Sequence, residues 1–208
     1  MAGLKKNIFD GFSREASVFK DERFLYPEFV PDKLLHREKE IESLAGSLSP
    51  IIKGKKPANV FLTGSTGVGK TTAAKFVLKE MQEYSDRAKS LYLNCFEFNS
   101  RHAVLSAITN FLGIASPRRG IATDEIYGSM LEALKKCGFS PLVVLDEADQ
   151  LFMASDGQKL LYDLLRIVEV EKNVFGLVLI SNDAELMLSL DDRIRSSLSE
   201  EKIVFESY

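Results

Sequence analysis

Cysteine and histidine are scarce in this chain of 208 residues, with two of each. Cys95 and Cys137 stand far apart with no CxxC partner, and His36 and His102 are the only imidazoles. A zinc site is therefore short of ligands, and both thiols are expected to pack as small apolar side chains in a reducing compartment. Long apolar runs are missing as well. None approaches the ~20 residues that span a bilayer, and Met1 to Phe12 carries charges where a secretory signal needs an apolar core, so a cytoplasmic protein with no membrane partner is expected. A basic excess is also lacking. With a net charge of −3 the chain does not coat nucleic acid through charge alone, so any DNA contact has to be local. There is no internal repeat and no low-complexity segment. The length suits one α/β domain with a full core, or at most two small ones.

What the chain does have is the stretch Val60 to Thr72, VFLTGSTGVGKTT. Val60, Phe61 and Leu62 read as a buried strand, and the pattern Gly64-x-x-x-x-Gly69-Lys70-Thr71 follows at once. Gly64, Gly67 and Gly69 let the backbone turn tightly, so that the N–H groups of Ser65, Thr66, Val68 and their neighbours through Thr72 can surround an anion. A helix opening near Lys70 adds its positive dipole end. Lys70 is placed to reach the β and γ phosphates of a nucleotide, and the Thr71 hydroxyl to ligate the Mg²⁺ that bridges them. Ala73, Phe76, Val77, Met81 and Tyr84 give that helix one apolar face.

Leu142 to Asp149, LVVLDEAD, is the second stretch with chemistry in it. Four apolar residues in a row suit a strand covered on both faces, and acids at its carboxyl end lie where parallel sheets bind ligands. Asp146 is expected to hold Mg²⁺ through water, and Glu147 to orient or deprotonate the attacking water. Acids after a strand also cap helices. Their position about 75 residues after a phosphate loop favours the catalytic role. A third buried strand, Val174 to Ile180, ends in Ser181 and Asn182. Asn182 either positions the water at the γ phosphate or caps the helix beginning near Asp183.

The other segments are read from their periodicity. Residues 1–24 mix charge with isolated aromatics and form an expected arm. Pro27 and Pro31 hold the next segment extended, where Phe29 and Val30 either wall an adenine pocket or cover a sheet edge. A helix with Ile41, Leu44, Ala45 and Leu48 on one face follows. Ser90 to Leu93 reads as a strand, and His102 to Phe111 as a helix. Arg118 and Arg119 then sit in GIASPRRG, a broken loop where they either straddle a phosphate backbone or stay solvated. Thr123 is expected to cap a helix faced with Ile126, Met130, Leu131 and Leu134. Asp156 to Val170 and Asp191 to Leu198 read as helices, with a closing strand at Lys202 to Phe205.

Taken together, the strand running into GSTGVGKT, the strand LVVLDEAD and the strand ending in SN resemble the nucleotide-binding core of AAA+ ATPases. The run VFKDERFLYPEFVPDKLLHREKEI, the strand ending YLNC and the insert NSRHAVLSAITNFLGIASPRRGIATDEIY are similar to the archaeal replication-initiator ATPases, relatives of the eukaryotic origin-recognition and cell-division-control subunits. The resemblance covers roughly Phe9 to Phe205. It implies an α/β P-loop NTPase fold with a five-stranded parallel sheet of order 5-1-4-3-2 between helices, occupying 25–208. It implies ATP or ADP with Mg²⁺ as cofactors, and Phe29, Val30, Leu35, His36 and Arg37 around the adenine. It also implies that the insert, about 97–122, approaches duplex DNA through Arg101, Arg118 and Arg119, with other initiator subunits or a helicase as further partners and a nucleoid-associated location.

Two departures from the family pattern bear on activity. Family members continue into a helical lid and a winged-helix domain, and this chain stops at Tyr208, so a core lacking both is expected. The family also places a trans-acting arginine directly after a serine. Ser197 stands there here, leaving Arg193 or Arg195 as substitutes that cannot both face one neighbour. Slow hydrolysis with tight ADP retention is expected. The alternatives are another AAA+ ATPase, such as a clamp-loader-like subunit or transposition helper, or an assembly module in which hydrolysis is incidental.

Overall fold

The structure is a computed structural model that describes residues 26, 29–115, 120–152, 156–170, 174–183, 185–198 and 201–207. Its contacts divide the chain into two units, Met1–Pro31 and Asp32–Tyr208. In the first, the Phe29 N–H donates to the Tyr26 carbonyl at 3.0 Å. The expected arm and Arg118 and Arg119 lie outside the described residues.

The second unit is built on five strands: β1 (Val60–Gly64), β2 (Ala88–Asn94), β3 (Ser140–Asp146), β4 (Gly176–Ser181) and β5 (Glu201–Phe205). All neighbouring strands run parallel in the order β2-β3-β4-β1-β5, which is the expected 5-1-4-3-2 read from the opposite edge. Every residue of β4 is buried, as are all of β3 after Ser140. Strands buried along their length need cover on both faces, and the helices supply it.

Side-chain alternation sorts the core into two layers. On one face Val60, Leu62, Val144, Val178 and Ile180 pack under α1 (Glu38–Ile52) and α2 (Lys70–Tyr84). On the other, Phe61, Val143, Leu145, Leu177 and Leu179 meet α3 (Arg101–Phe111), α4 (Thr123–Lys136), α6 (Gly157–Val170) and α8 (Asp192–Leu198). Each fully buried leucine, such as Leu105 or Leu164, contributes roughly 1.5–3 kcal/mol. Two short helices, α5 (Asp149–Phe152) and α7 (Leu186–Ser189), complete the carboxyl side of the sheet.

Three local expectations are corrected. Tyr84 is 80 % exposed rather than part of the apolar face of α2, because the buried arc runs through Ala74 and Leu78 and ends at Met81. Ala45 is likewise exposed on α1, where Leu44, Leu48 and Ile51 form the buried stripe. Thr123 is the first residue inside α4, not its cap; Ala122 occupies the cap position without a side-chain bond, and Asp124 and Glu125 complement the helix dipole instead.

Candidate functional site

The turn after β1 forms because its glycines take conformations that side chains resist. Gly64 has φ 151°, and a Cβ there would overlap the Phe205 backbone carbonyl on β5, so only glycine lets β1 and β5 come this close. Gly67 and Gly69 are also left-handed, at φ 82° and 94°, and Gly69 caps α2. Ser65, Thr66 and Gly67 form the exposed tip, while Val68 turns into the core. The α2 N-terminus thus opens onto a glycine-rich concavity, the geometry that favours anions.

Lys70, only 5 % exposed, folds its ammonium back into that concavity. It uses all three donors, to the Gly64 carbonyl at 2.9 Å, the Ser65 carbonyl at 2.8 Å and Asn182 Oδ1 at 2.7 Å. Burial lowers its pKa, against the opposing pull of Glu147, Asp146 and Asp149. One helical position on, Thr71 Oγ1 donates its proton to Asp146 Oδ2 at 2.7 Å. Both lone pairs of that hydroxyl are then available to a cation, which is the arrangement a Mg²⁺ ligand requires.

Asp146 ends β3 with a nearly fully buried carboxylate that three donors hold. Oδ1 accepts from the Glu147 N–H at 2.9 Å, and Oδ2 accepts from Thr71 and from the Tyr92 hydroxyl on β2. Glu147 itself is left-handed, with φ 55°, a conformation that costs a non-glycine residue about 1–3 kcal/mol. The next residue returns to the sheet, Ala148 N–H donating to the Ile180 carbonyl at 2.9 Å. Glu147 is thereby projected from the rim, where Asn182 Nδ2 donates to its Oε2.

Asn182 therefore faces the site rather than capping a helix; Glu185 takes the cap position of α7. Asp149 sets this loop, Oδ1 accepting from the Ser181 hydroxyl at 3.0 Å and the Asn182 N–H at 3.4 Å. The three acids also set the local field. Burial raises the pKa of Glu147, and the charges of Asp146 and Asp149 raise it further. Burial and the same three carboxylates push the Cys95 thiol up to about 12. Such a field invites a cation. Among the described residues no cluster of three or more His, Cys, Asp and Glu side chains is gathered for a metal, so Mg²⁺ here would complete its shell with phosphate oxygens and water.

A family model described as AAA domain matches residues 53–187, a span that includes the loop, Asp146, Glu147 and Asn182. The chain belongs to the AAA domain family. Within that family it is similar to ORC1-type DNA replication protein 1 of Archaeoglobus fulgidus, 39 % identical over 97 % of this chain and 50 % of that protein. It is similar in structure to the Orc1 protein of Aeropyrum pernix in complex with DNA, with a TM-score of 0.83 and 35 % identity over 91 % of this chain and 50 % of that one. The Orc2 protein of the same organism, solved as ADPNP–ADP complexes, gives 0.77 and 27 % over 91 % and 52 %. The chain spans about half the length of these relatives.

The remaining candidates lie outside the glycine loop and its acids. Arg101 is the clearest correction. Expected to approach DNA, it is 5 % exposed, with Nε donating to Asp163 at 2.7 Å and Nη1 to Asp124 at 2.8 Å. The N-terminus of α3 must be fastened to α4 and α6, and this guanidinium does it. Arg37 is also buried, bonded to Glu40 at 2.7 Å and to the Glu206 carbonyl at 2.6 Å, beside the Phe205 ring. Leu35 and His36 are exposed next to it, His36 in the left-handed region at φ 63°. Arg193 and Arg195 lie on α8, where Arg195 pairs with Asp192 and the Arg193 N–H donates to Asp191. Tyr92 and Asp149 were not singled out from the sequence. The adjacency of β2 and β3 is the signal that would have exposed Tyr92, and the third acid of DEAD the one for Asp149.

Proposed function

We propose that this chain is the ATP-binding and ATP-hydrolysing core of a DNA replication initiator. One observation supports the nucleotide half above all others: Lys70, Thr71, Asp146, Glu147 and Asn182, drawn from α2 and the ends of β3 and β4, join in one hydrogen-bonded group at the glycine loop. In this reading the loop N–H groups and the α2 N-terminus bind the phosphates, and Lys70 exchanges its carbonyl partners for phosphate oxygens. Thr71 and Asp146 hold Mg²⁺, which when bound neutralises charge on the transferring phosphoryl group. Glu147 accepts the proton of the attacking water, its raised pKa making it a stronger base than an ordinary carboxylate. Asn182 orients that water. The exposed Leu35 and His36 and the neighbouring Arg37 form the adenine side of the proposal.

Slow turnover and retained ADP belong to the same reading. Arg195, one of the two candidates for a trans-acting arginine, is engaged by Asp192 of its own helix, and such an arginine is worth roughly 10³–10⁵ in rate. The partner half draws on the similarity to ORC1-type proteins, one of them solved with DNA, and on the Arg118-Arg119 pair between α3 and α4. Fluorescence anisotropy of labelled duplex DNA, with ATP, ADP or neither, tests it. Salt-dependent binding that Arg118→Ala/Arg119→Ala abolishes supports the initiator function, whereas no binding in any nucleotide state counts against it.

A further inference from the structure

Tyr92 lies on β2, the strand beside β3, and pairs in register with Val144, while Asn94 pairs with Asp146. Because strand side chains alternate, Tyr92, Val144 and Asp146 share the face that α2 covers. Two residues along a strand measure about 6.6 Å, a span that a tyrosine side chain bridges. Its hydroxyl reaches past Val144 and donates to Asp146 Oδ2, the oxygen that also receives the Thr71 proton. The ring is fixed independently of this bond. It packs on the core under α2, with Lys75 Nζ 4.9 Å from its centroid.

The geometry points to Tyr92 as a positioning residue for the metal site, acting through Asp146. This inference rests on the nucleotide reading above. A carboxylate turns easily about its terminal bond, so its orientation depends on its hydrogen bonds. Glu147 N–H holds one oxygen, and the other would hang on Thr71 alone if Tyr92 were absent. Thr71 is the weaker anchor for the purpose, since its own hydroxyl has to keep its lone pairs aimed at the cation. With Tyr92 present, Asp146 is held by a group that takes no part in ligation, and Thr71 is oriented by Asp146 in turn. Partners of this kind, one step behind the ligands, are typically worth 10- to 100-fold in metal affinity.

The test is a fluorescence titration of a labelled ADP analogue, with EDTA and then with increasing Mg²⁺, on the wild type, Tyr92→Phe and Lys75→Met. Phenylalanine keeps the ring and its packing, so thermal melting checks that the fold is retained. Tyr92→Phe is expected to bind the analogue in EDTA like the wild type, and to need about 10-fold more Mg²⁺ for half of the metal-dependent gain in affinity. Lys75→Met, which removes the cation over the ring but not the hydroxyl, is expected to leave the Mg²⁺ midpoint where it is. A wild-type midpoint in Tyr92→Phe overturns the positioning role alone. A wild type whose affinity ignores Mg²⁺ overturns both this role and the nucleotide reading beneath it.

Discussion

Asn182 bridges Lys70 and Glu147, accepting from the ammonium at 2.7 Å and donating to the carboxylate with the other end of its amide. The amide has an acceptor end and a donor end, so it joins a cation to an anion, which an acceptor-only carboxylate cannot do. Replacing it by alanine removes both bonds and leaves the loop and Lys70 free to bind phosphate. Asn182→Ala is expected to retain nucleotide affinity within about threefold and to lose hydrolysis by about 10²-fold. Equilibrium binding and steady-state phosphate release on the same preparation check this.

Gly64 is expected to tolerate no side chain. Alanine there would meet the Phe205 carbonyl while holding a positive φ, so β1 and β5 would have to part. Gly64→Ala is expected to lose about 1–3 kcal/mol of stability, read from urea denaturation, together with its nucleotide binding.

Arg101 is a structural residue in this fold. Removing it leaves Asp163 buried without its ion pair, and Arg101→Ala is expected to cost about 3 kcal/mol. A DNA-contact role would instead leave stability unchanged and lower DNA affinity. Chemical denaturation and anisotropy, measured side by side, separate the two.

The same cluster gives a pH dependence. The Arg101 hydrogen bond, then the charge of Lys159, hold the exposed Asp124 carboxyl below its ordinary value of 3.8. A group with a depressed folded-state pKa contributes stability above its unfolded value and loses it as pH falls through the lower one. Stability is therefore expected to drop less steeply with acid, below about pH 4, in Asp124→Asn than in the wild type. Thermal melting between pH 2.5 and 6 reads the difference.

The residues that were legible in the sequence are those whose role depends on neighbours along the chain. Gly64 to Thr71 is a local geometry, and the strand before it and helix after it announce themselves by apolar runs and periodicity. Asp146 and Glu147 follow from their place at the end of an apolar strand. Asn182 was legible only as a choice between two roles, because the decision depends on Lys70 more than a hundred residues away. Tyr92 depends on the register of β2 against β3, and Arg101 on where α4 and α6 fall. Neither leaves a pattern in its own segment: Tyr92 reads as one more strand aromatic, and Arg101 as one more charge at a helix start.

Glu147 is the residue on which the assignment of an enzyme turns. The most direct measurement is single-turnover hydrolysis of labelled ATP by the wild type and Glu147→Gln, with bound nucleotide quantified in each sample. Both proteins are expected to bind ATP, and only the wild type to release phosphate, the variant being slower by about 10²–10⁴-fold. Equal rates in the two proteins, or a wild type that binds no ATP in the presence of Mg²⁺, would contradict an ATP-hydrolysing core.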